Sequence, residues 1–151
     1  MALEGSIPSE IGNMNNMMDL RLHETSINST IPEELWQLTQ LWRLDLFNTQ
    51  LSGTLSPSVA KLTDLVYLLL RNADLTGTIP VSIANLTELV EVWFDGNEFV
   101  GAVPEGMCEH PALDDLTADC LASSGTSEPR VNCSCCQYCC DHSTGLCDKE
   151  V

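Results

Sequence analysis

The residues best equipped for chemistry in this 151-residue chain are eight cysteines, at 108, 120, 133, 135, 136, 139, 140 and 147. Thiolates so closely spaced, with His142 beside them, are suitable ligands for zinc or copper. Yet no second Cys-x-x-Cys knuckle lies at the separation a zinc site uses, and an even number of cysteines in one dense cluster reads as a disulfide framework made in an oxidising compartment. Glycosylation acceptors of the Asn-x-Ser/Thr type at Asn28, Asn85 and Asn132 point the same way. Disulfides are therefore expected at Cys108, Cys120, Cys133, Cys135, Cys136, Cys139, Cys140 and Cys147, and no resident metal.

Other chemistry is poorly served. The histidines stand at 23, 110 and 142, and no Ser-His-Asp order, His-Glu-x-x-His, Gly-x-Ser-x-Gly or phosphate-binding glycine loop accompanies them. Glu33-Glu34 and Asp114-Asp115 are adjacent carboxylates rather than a pair facing across a cleft. No calcium-loop spacing occurs. The expectation is a binding protein without a cofactor, not an enzyme. Six Lys plus Arg stand against 22 Asp plus Glu, a formal charge of −16, which disfavours nucleic acid and anionic membranes as partners. The longest apolar run, Leu65 to Leu70, is far short of the roughly 18 residues that span a bilayer.

The elements that position these residues follow from a repeat. Ile7-Pro8, Ile31-Pro32, Leu55-Ser56, Ile79-Pro80 and Val103-Pro104 recur every 24 residues. Seven columns within the unit are apolar in all four copies, among them Leu35, Leu38, Leu41, Leu44, Leu46, Leu51 and Leu55 in the second. A unit this short cannot bury seven apolar side chains alone, so the units must stack into a solenoid. Leu20-x-Leu22, Leu44-x-Leu46, Leu68-x-Leu70 and Val92-x-Phe94 have the period of a strand with one face inward. Upstream, a spacing of three (Ile11, Met14, Met17) suits helical or 3-10 turns on the opposite, convex side.

The units read Leu-x-x-Leu-x-Leu-x-x-Asn/Thr-x-Leu-x-Gly-x-Ile-Pro, with Leu75-Thr76-Gly77-Thr78-Ile79-Pro80 and Leu3-Glu4-Gly5-Ser6-Ile7-Pro8 as the best copies. This resembles the plant-type leucine-rich repeat, and the cysteine tail is similar to that of leucine-rich-repeat proteins of diatoms. The resemblance implies an α/β solenoid shaped as a horseshoe: short parallel strands on the concave face, helical or 3-10 turns outside, and a disulfide-rich C-terminal cap. The family's buried Asn is kept only at Asn97. Thr25, Thr49 and Ala73 hold the other copies, and alanine cannot hydrogen-bond, so the turn at Ala73 should be weaker. Ser29 replaces one signature glycine.

Continuing the register gives a degenerate fifth coil with Met107, Leu113, Leu116 and Ala118 inward and His110 in an apolar column. The expected organisation is a solenoid over 1–120 and a linker with a cysteine-rich tail over 121–151, with Cys108 to Cys120 as a candidate closure of the fifth coil. Met1 to Ser6 lacks the features of a secretory signal, and the first coil shows a bare apolar flank. Both lead to the expectation of a longer protein, with any membrane anchor outside this sequence.

Strand residues pointing away from the core form three columns: Asp19/Arg43/Tyr67/Glu91/Asp115, Arg21/Asp45/Leu69/Trp93/Thr117 and His23/Phe47/Arg71/Asp95/Asp119. Asp19 with Arg43, and Arg21 with Asp45, are expected to pair across strands. Phe47, Tyr67, Leu69 and Trp93 are large apolar groups where a merely solvated face would carry polar ones, which marks a contact surface. Arg43, Arg71, Glu91, Asp95, Asp115 and Asp119 complete the candidate ligand-binding set, whose acidic C-terminal half favours a basic peptide or a cation. The resemblance implies extracellular recognition of a protein, peptide or glycan by a receptor-like protein in signalling or defence. A secreted inhibitor of wall-degrading enzymes is the alternative. A structural or ice-surface-binding wall protein is the third, and the varied, charged columns argue against it.

Overall fold

The computed structural model describes residues 3–121, 129–141 and 143–149. In it the period of the sequence becomes a stack of three-sided coils. The first side is a parallel ladder of Asp19–Arg21, Arg43–Asp45, Tyr67–Leu69, Glu91–Trp93 and Asp115–Ala118. Its register advances by one repeat at each step, so that Leu20, Leu44, Leu68, Val92 and Leu116 lie side by side. All five are buried.

The third side consists of the 3-10 turns Ser9–Asn13, Glu33–Gln37, Pro57–Lys61 and Val81–Asn85, with the α-helix Glu105–Cys108 in the same place in the fifth coil. The spacing of three has a direct cause. Leu35, Leu38 and Leu41 donate their N–H groups to the carbonyls of Pro32, Leu35 and Leu38. The apolar columns are thus the donors of an i to i−3 chain, and three residues per turn return each to the inward face. The central coils bury every one of these side chains.

Between ladder and turns lies a second side that the strand pattern did not disclose. Ser52–Thr54, Asp74–Gly77 and Glu98–Phe99 form a three-stranded parallel sheet, Glu4–Gly5 pairs with Ser26–Ile27, and Gly101–Ala102 pairs with Val131–Asn132. The chain leaves each of the first four ladder strands through a left-handed residue: Glu24, Asn48 and Asn72 at φ 55°, 52° and 53°, then Gly96 at φ 69°. At Gly96 a Cβ would stand 2.0 Å from Asn72 Oδ1, so only glycine fits.

Asn97 binds two coils together. Its Nδ2 donates to the carbonyls of Phe94 at 3.0 Å and Leu70 at 2.8 Å, and its Oδ1 accepts from the N–H of Leu75 at 3.2 Å. Thr25 and Thr49 reach only the carbonyl three residues back, at 2.6 and 2.8 Å. Leu70 is the carbonyl that Ala73 would have to serve by that pattern. Asn97 serves it from the next coil, which explains how alanine is accommodated in a buried polar turn.

Beyond the fifth coil the sheet continues. Tyr138–Cys140 pairs in parallel with Asp115–Ala118 and antiparallel with Cys147–Lys149. His110, in an apolar column, has Nε2 2.8 Å from the Leu86 carbonyl oxygen. All eight cysteines are paired, as Cys108–Cys135, Cys120–Cys139, Cys133–Cys136 and Cys140–Cys147. The expected Cys108 to Cys120 closure is therefore corrected: each of the two is tied to the tail. The reason is positional, because Ala118 lies opposite Cys139 in the ladder, which brings the following Cys120 against that thiol rather than back towards the helix. These two bridges span 27 and 19 residues, long enough for roughly 3 kcal/mol each from restriction of the unfolded chain. Cys133, Cys136 and Cys139 join Val131 in the core cluster, so sulfur supplies apolar volume that the tail's other residues lack. His142, considered above as a metal ligand, and linker residues 122–128 lie outside the described residues. Among those described, no helix is long and apolar enough to cross a membrane.

Replacing Asn97 by alanine strands two buried carbonyls and one N–H and should cost about 3 kcal/mol of stability, against about 1 kcal/mol for Thr49→Val. Urea denaturation of the oxidised protein would measure both, and equal losses would contradict the two-coil role.

Candidate recognition surface

The outward-facing residues of the ladder form one continuous surface whose members stack on each other. The Arg43 guanidinium lies 5.0 Å from the Tyr67 ring centre, and that of Arg71 lies 4.7 Å from Trp93. Phe47 meets Trp93 edge-on with centroids 6.2 Å apart, and His23 stacks on Phe47 at 4.8 Å. Phe47, Tyr67 and Trp93 remain half-buried. Cation and ring partly desolvate each other, leaving planar, preorganised faces open to solvent.

The expected ion pairs are rearranged. Arg21 binds Asp19 at 2.8 Å within its own strand, and Arg43 approaches Asp45 at 3.5 Å within its own. Residues two apart on a strand share a face, so each arginine finds its carboxylate without crossing the ladder. His23 Nδ1 lies 3.2 Å from Asp45 Oδ2. Arg71 crosses to Asp95 at 2.6 Å.

Three residues expected on the contact surface are buried. Leu69 lies under the aromatic layer. Asp95 accepts from the Thr117 hydroxyl and from Arg71. Asp119 accepts from the backbone N–H groups of Gly96 at 3.0 Å and Asn97 at 3.2 Å, so it caps the fourth coil's turn. Both carboxylates are structural: Asp95 ties the ladder residues Arg71 and Thr117 together, and Asp119 satisfies the backbone N–H groups of the preceding coil's turn.

What stays accessible is Arg43, Phe47, Tyr67, Arg71, Glu91, Trp93 and Asp115, joined by a residue the repeat concealed. Tyr138 is exposed and stands opposite Thr117. It was missed because its coil is 21 residues long by this register, not 24. Arg71, Trp93, Asp115, Thr117, Tyr138 and Cys147 line an open depression of about 380 Å³. On its rim the Trp93 indole donates to Asp115 Oδ2 at 3.2 Å, while among the described residues Asp115 Oδ1 has no hydrogen-bond partner. Burial pushes the Glu91 carboxyl above its ordinary range, and the neighbouring Asp115 charge adds to this. Arg43 and Arg71 only partly offset it. The charge of Glu91 is therefore incompletely compensated. The acceptors Asn28, Asn85 and Asn132 are exposed and lie outside the ladder.

A carboxyl with a raised folded-state pKa holds its proton in the native state where the unfolded chain has lost it. Glu91 should thus lower stability as pH rises from the ordinary glutamate pKa through its raised value, with no further change above. Glu91→Gln should flatten that part of the profile, read as the difference in melting temperature between variant and wild type. A constant difference from acid to neutral pH would contradict the strained pair.

No protein-family model matches the chain, and no curated protein does. Solved structures match with high similarity. A plant peptide hormone receptor, RGFR1, in complex with RGF2, is 29% identical, with a TM-score of 0.76 over 81% of this chain and 20% of the receptor's. The PEPR1–AtPEP1 structure is 31% identical, with a TM-score of 0.74 over 81% of this chain and 18% of the other. A plant ice-binding protein is 28% identical, with a TM-score of 0.71 over 81% and 40%. The chain spans about a fifth of the length of the receptors it matches. With the parallel ladder, the coil register and the paired cysteines, these likenesses establish that the chain folds as a leucine-rich-repeat solenoid closed by a disulfide cap.

Proposed function

We propose that the open face of the ladder recognises an extracellular peptide segment that carries a basic residue beside an apolar or aromatic one. The observation that carries this reading is the incompletely compensated charge of Glu91, which lies beside Asp115, together with the Trp93 ring and the exposed Tyr138. A lysine or arginine of the ligand completes the compensation, and its aromatic neighbour extends the stacked layer of Phe47, Tyr67 and Trp93. Two matched receptors are, by their descriptions, a peptide hormone receptor with RGF2 and PEPR1 with AtPEP1, which supports a peptide over a glycan. The disulfide cap supports an oxidising, extracellular setting. Glycans at Asn28, Asn85 and Asn132 would leave the face clear. A receptor-like role in signalling or defence follows from the same likeness.

Selection of a displayed random-peptide library on the oxidised protein should enrich segments with a basic residue next to an aromatic one. Trp93→Ala should then weaken the selected peptide's binding by about tenfold or more while circular dichroism shows the domain still folded. Binding should also weaken on acidification as Glu91 takes up its proton, and this should vanish in Glu91→Gln. Unchanged affinity in Trp93→Ala would refute the site.

A second reading, adsorption to ice, has one observation in its favour. On the second sheet Thr30, Thr54, Thr76 and Thr78 are exposed, Thr54 lies opposite Thr76, and residues 52–54 and 76–78 carry no charge. The match to a plant ice-binding protein concerns the same fold. Thermal hysteresis should then be measurable and should disappear in Thr54→Lys; its absence in the wild type would remove this reading.

A further inference from the structure

The first residues of the convex turns form a column, Ser9, Glu33, Pro57, Val81 and Glu105, one to each coil. Local physics accounts for most of them. Glutamate there faces the N–H end of its turn, and proline lacks the N–H that the first helical position leaves unpaired. Val81 has no such reason. It has no polar atom to cap with, and at 80% it is the most exposed large apolar side chain among the described residues. Around it, between the third and fourth coils, lies an open trough of about 650 Å³ lined by the buried Leu55 and Ile79 and by Pro57, Thr78 and Pro80. The Ser82 hydroxyl donates to the Pro57 carbonyl at 3.0 Å, which ties the two coils together at this point.

Charge frames this window. The chain carries a formal charge of −16, yet no charged residue occurs in 46–60 or in 75–87. Exposed carboxylates hold the same turn position on either side, Glu33 in the second coil and Glu105 in the fifth. They are three coils apart, roughly 14 Å at the spacing of paired strands. An apolar centre inside a charged rim is the anatomy of a protein contact, and the sign of this rim calls for basic groups. An extended segment presents residues i, i+2 and i+4 on one face over about 13 Å. It can therefore set an apolar side chain into the trough beside Val81 and a lysine or arginine at each carboxylate. A neutral polysaccharide would leave both carboxylates unanswered, and a polyanion would be repelled by them. We propose that this trough is a second docking site, separate from the ladder, for an extended protein segment of the form basic-x-apolar-x-basic lying along the stack.

A blocked synthetic peptide, Lys-Thr-Leu-Thr-Lys, titrated into the oxidised, isotope-labelled protein should shift the amide resonances of Gly77, Thr78, Val81 and Ser82. It should do so equally in Trp93→Ala, so a failure of the ladder site leaves this one standing. Val81→Ser removes the apolar anchor without adding charge and should weaken the peptide about fivefold. Glu33→Lys combined with Glu105→Lys should abolish its binding and admit Glu-Thr-Leu-Thr-Glu in its place, with circular dichroism checking that every variant is folded. No shift of the trough amides up to about 5 mM peptide, shifts confined to the ladder, affinity unchanged in Val81→Ser, or a folded charge-reversed protein that still prefers the lysine peptide would each overturn the proposal. A soluble neutral β-glucan that shifts the trough amides where the peptide does not would overturn it in favour of a polysaccharide.

Discussion

The constraint on which the rest of this structure depends is that no coil can hide its own apolar residues. Leu35, Leu38, Leu41, Leu44, Leu46, Leu51 and Leu55 of a single coil all point into one narrow layer, and each is buried only because the coils on either side close over it. Stacking fixes the distance between strands, and that distance allows Arg71 to reach Asp95 and Asn97 to reach the carbonyl of Leu70. Nearest-neighbour contact of this kind makes stability approximately a sum over interfaces. The ends of the stack are therefore where the protein needs separate solutions.

The C-terminal solution is covalent. Residues after the fifth coil are too poor in Leu, Ile and Val to pack as another repeat, yet Tyr138–Cys140 still joins the ladder and half-cystines fill the layer beneath. Bridges from Cys108 and Cys120 into the tail cross the junction itself. They hold the last solenoid layer to its cap, where a bridge confined to the fifth coil would have left the cap attached only by its linker. At the other end of the described residues, Asp19–Arg21 and the buried Ile7, Leu20 and Ile27 carry the same ladder and apolar columns as the interior coils.

Chemical variety is concentrated on the one side of the coil where repetition is relaxed. The inward columns hardly vary, whereas the outward columns change from charge to ring to charge at every step. The result is a graded surface: ion pairs within strands in the first coils, cation–ring stacks in the middle, and an incompletely compensated carboxylate at the far end. On the proposed reading, such a gradient would orient an extended ligand along the stack, because its ends would meet different chemistry.

The fold was legible because its cause is local and repeated. The period, the alternation in the ladder and the spacing of three in the turns each follow from residues within one unit, and Thr25, Thr49, Ala73 and Asn97 marked the buried polar turn, although the carbonyl that Ala73 cannot serve is taken up by Asn97 of the next coil. The site was legible only as columns. Which members stay in contact with solvent depends on what neighbouring coils place above them: Leu69, Asp95 and Asp119 belong to the right columns but are covered or consumed by turns two dozen residues away. Tyr138, the second sheet and the disulfide partners were decided by tertiary structure for the same reason. Tyr138 and the disulfides arise where the chain departs from its own period, and in every case a contact between residues of different coils leaves no trace in the spacing of either.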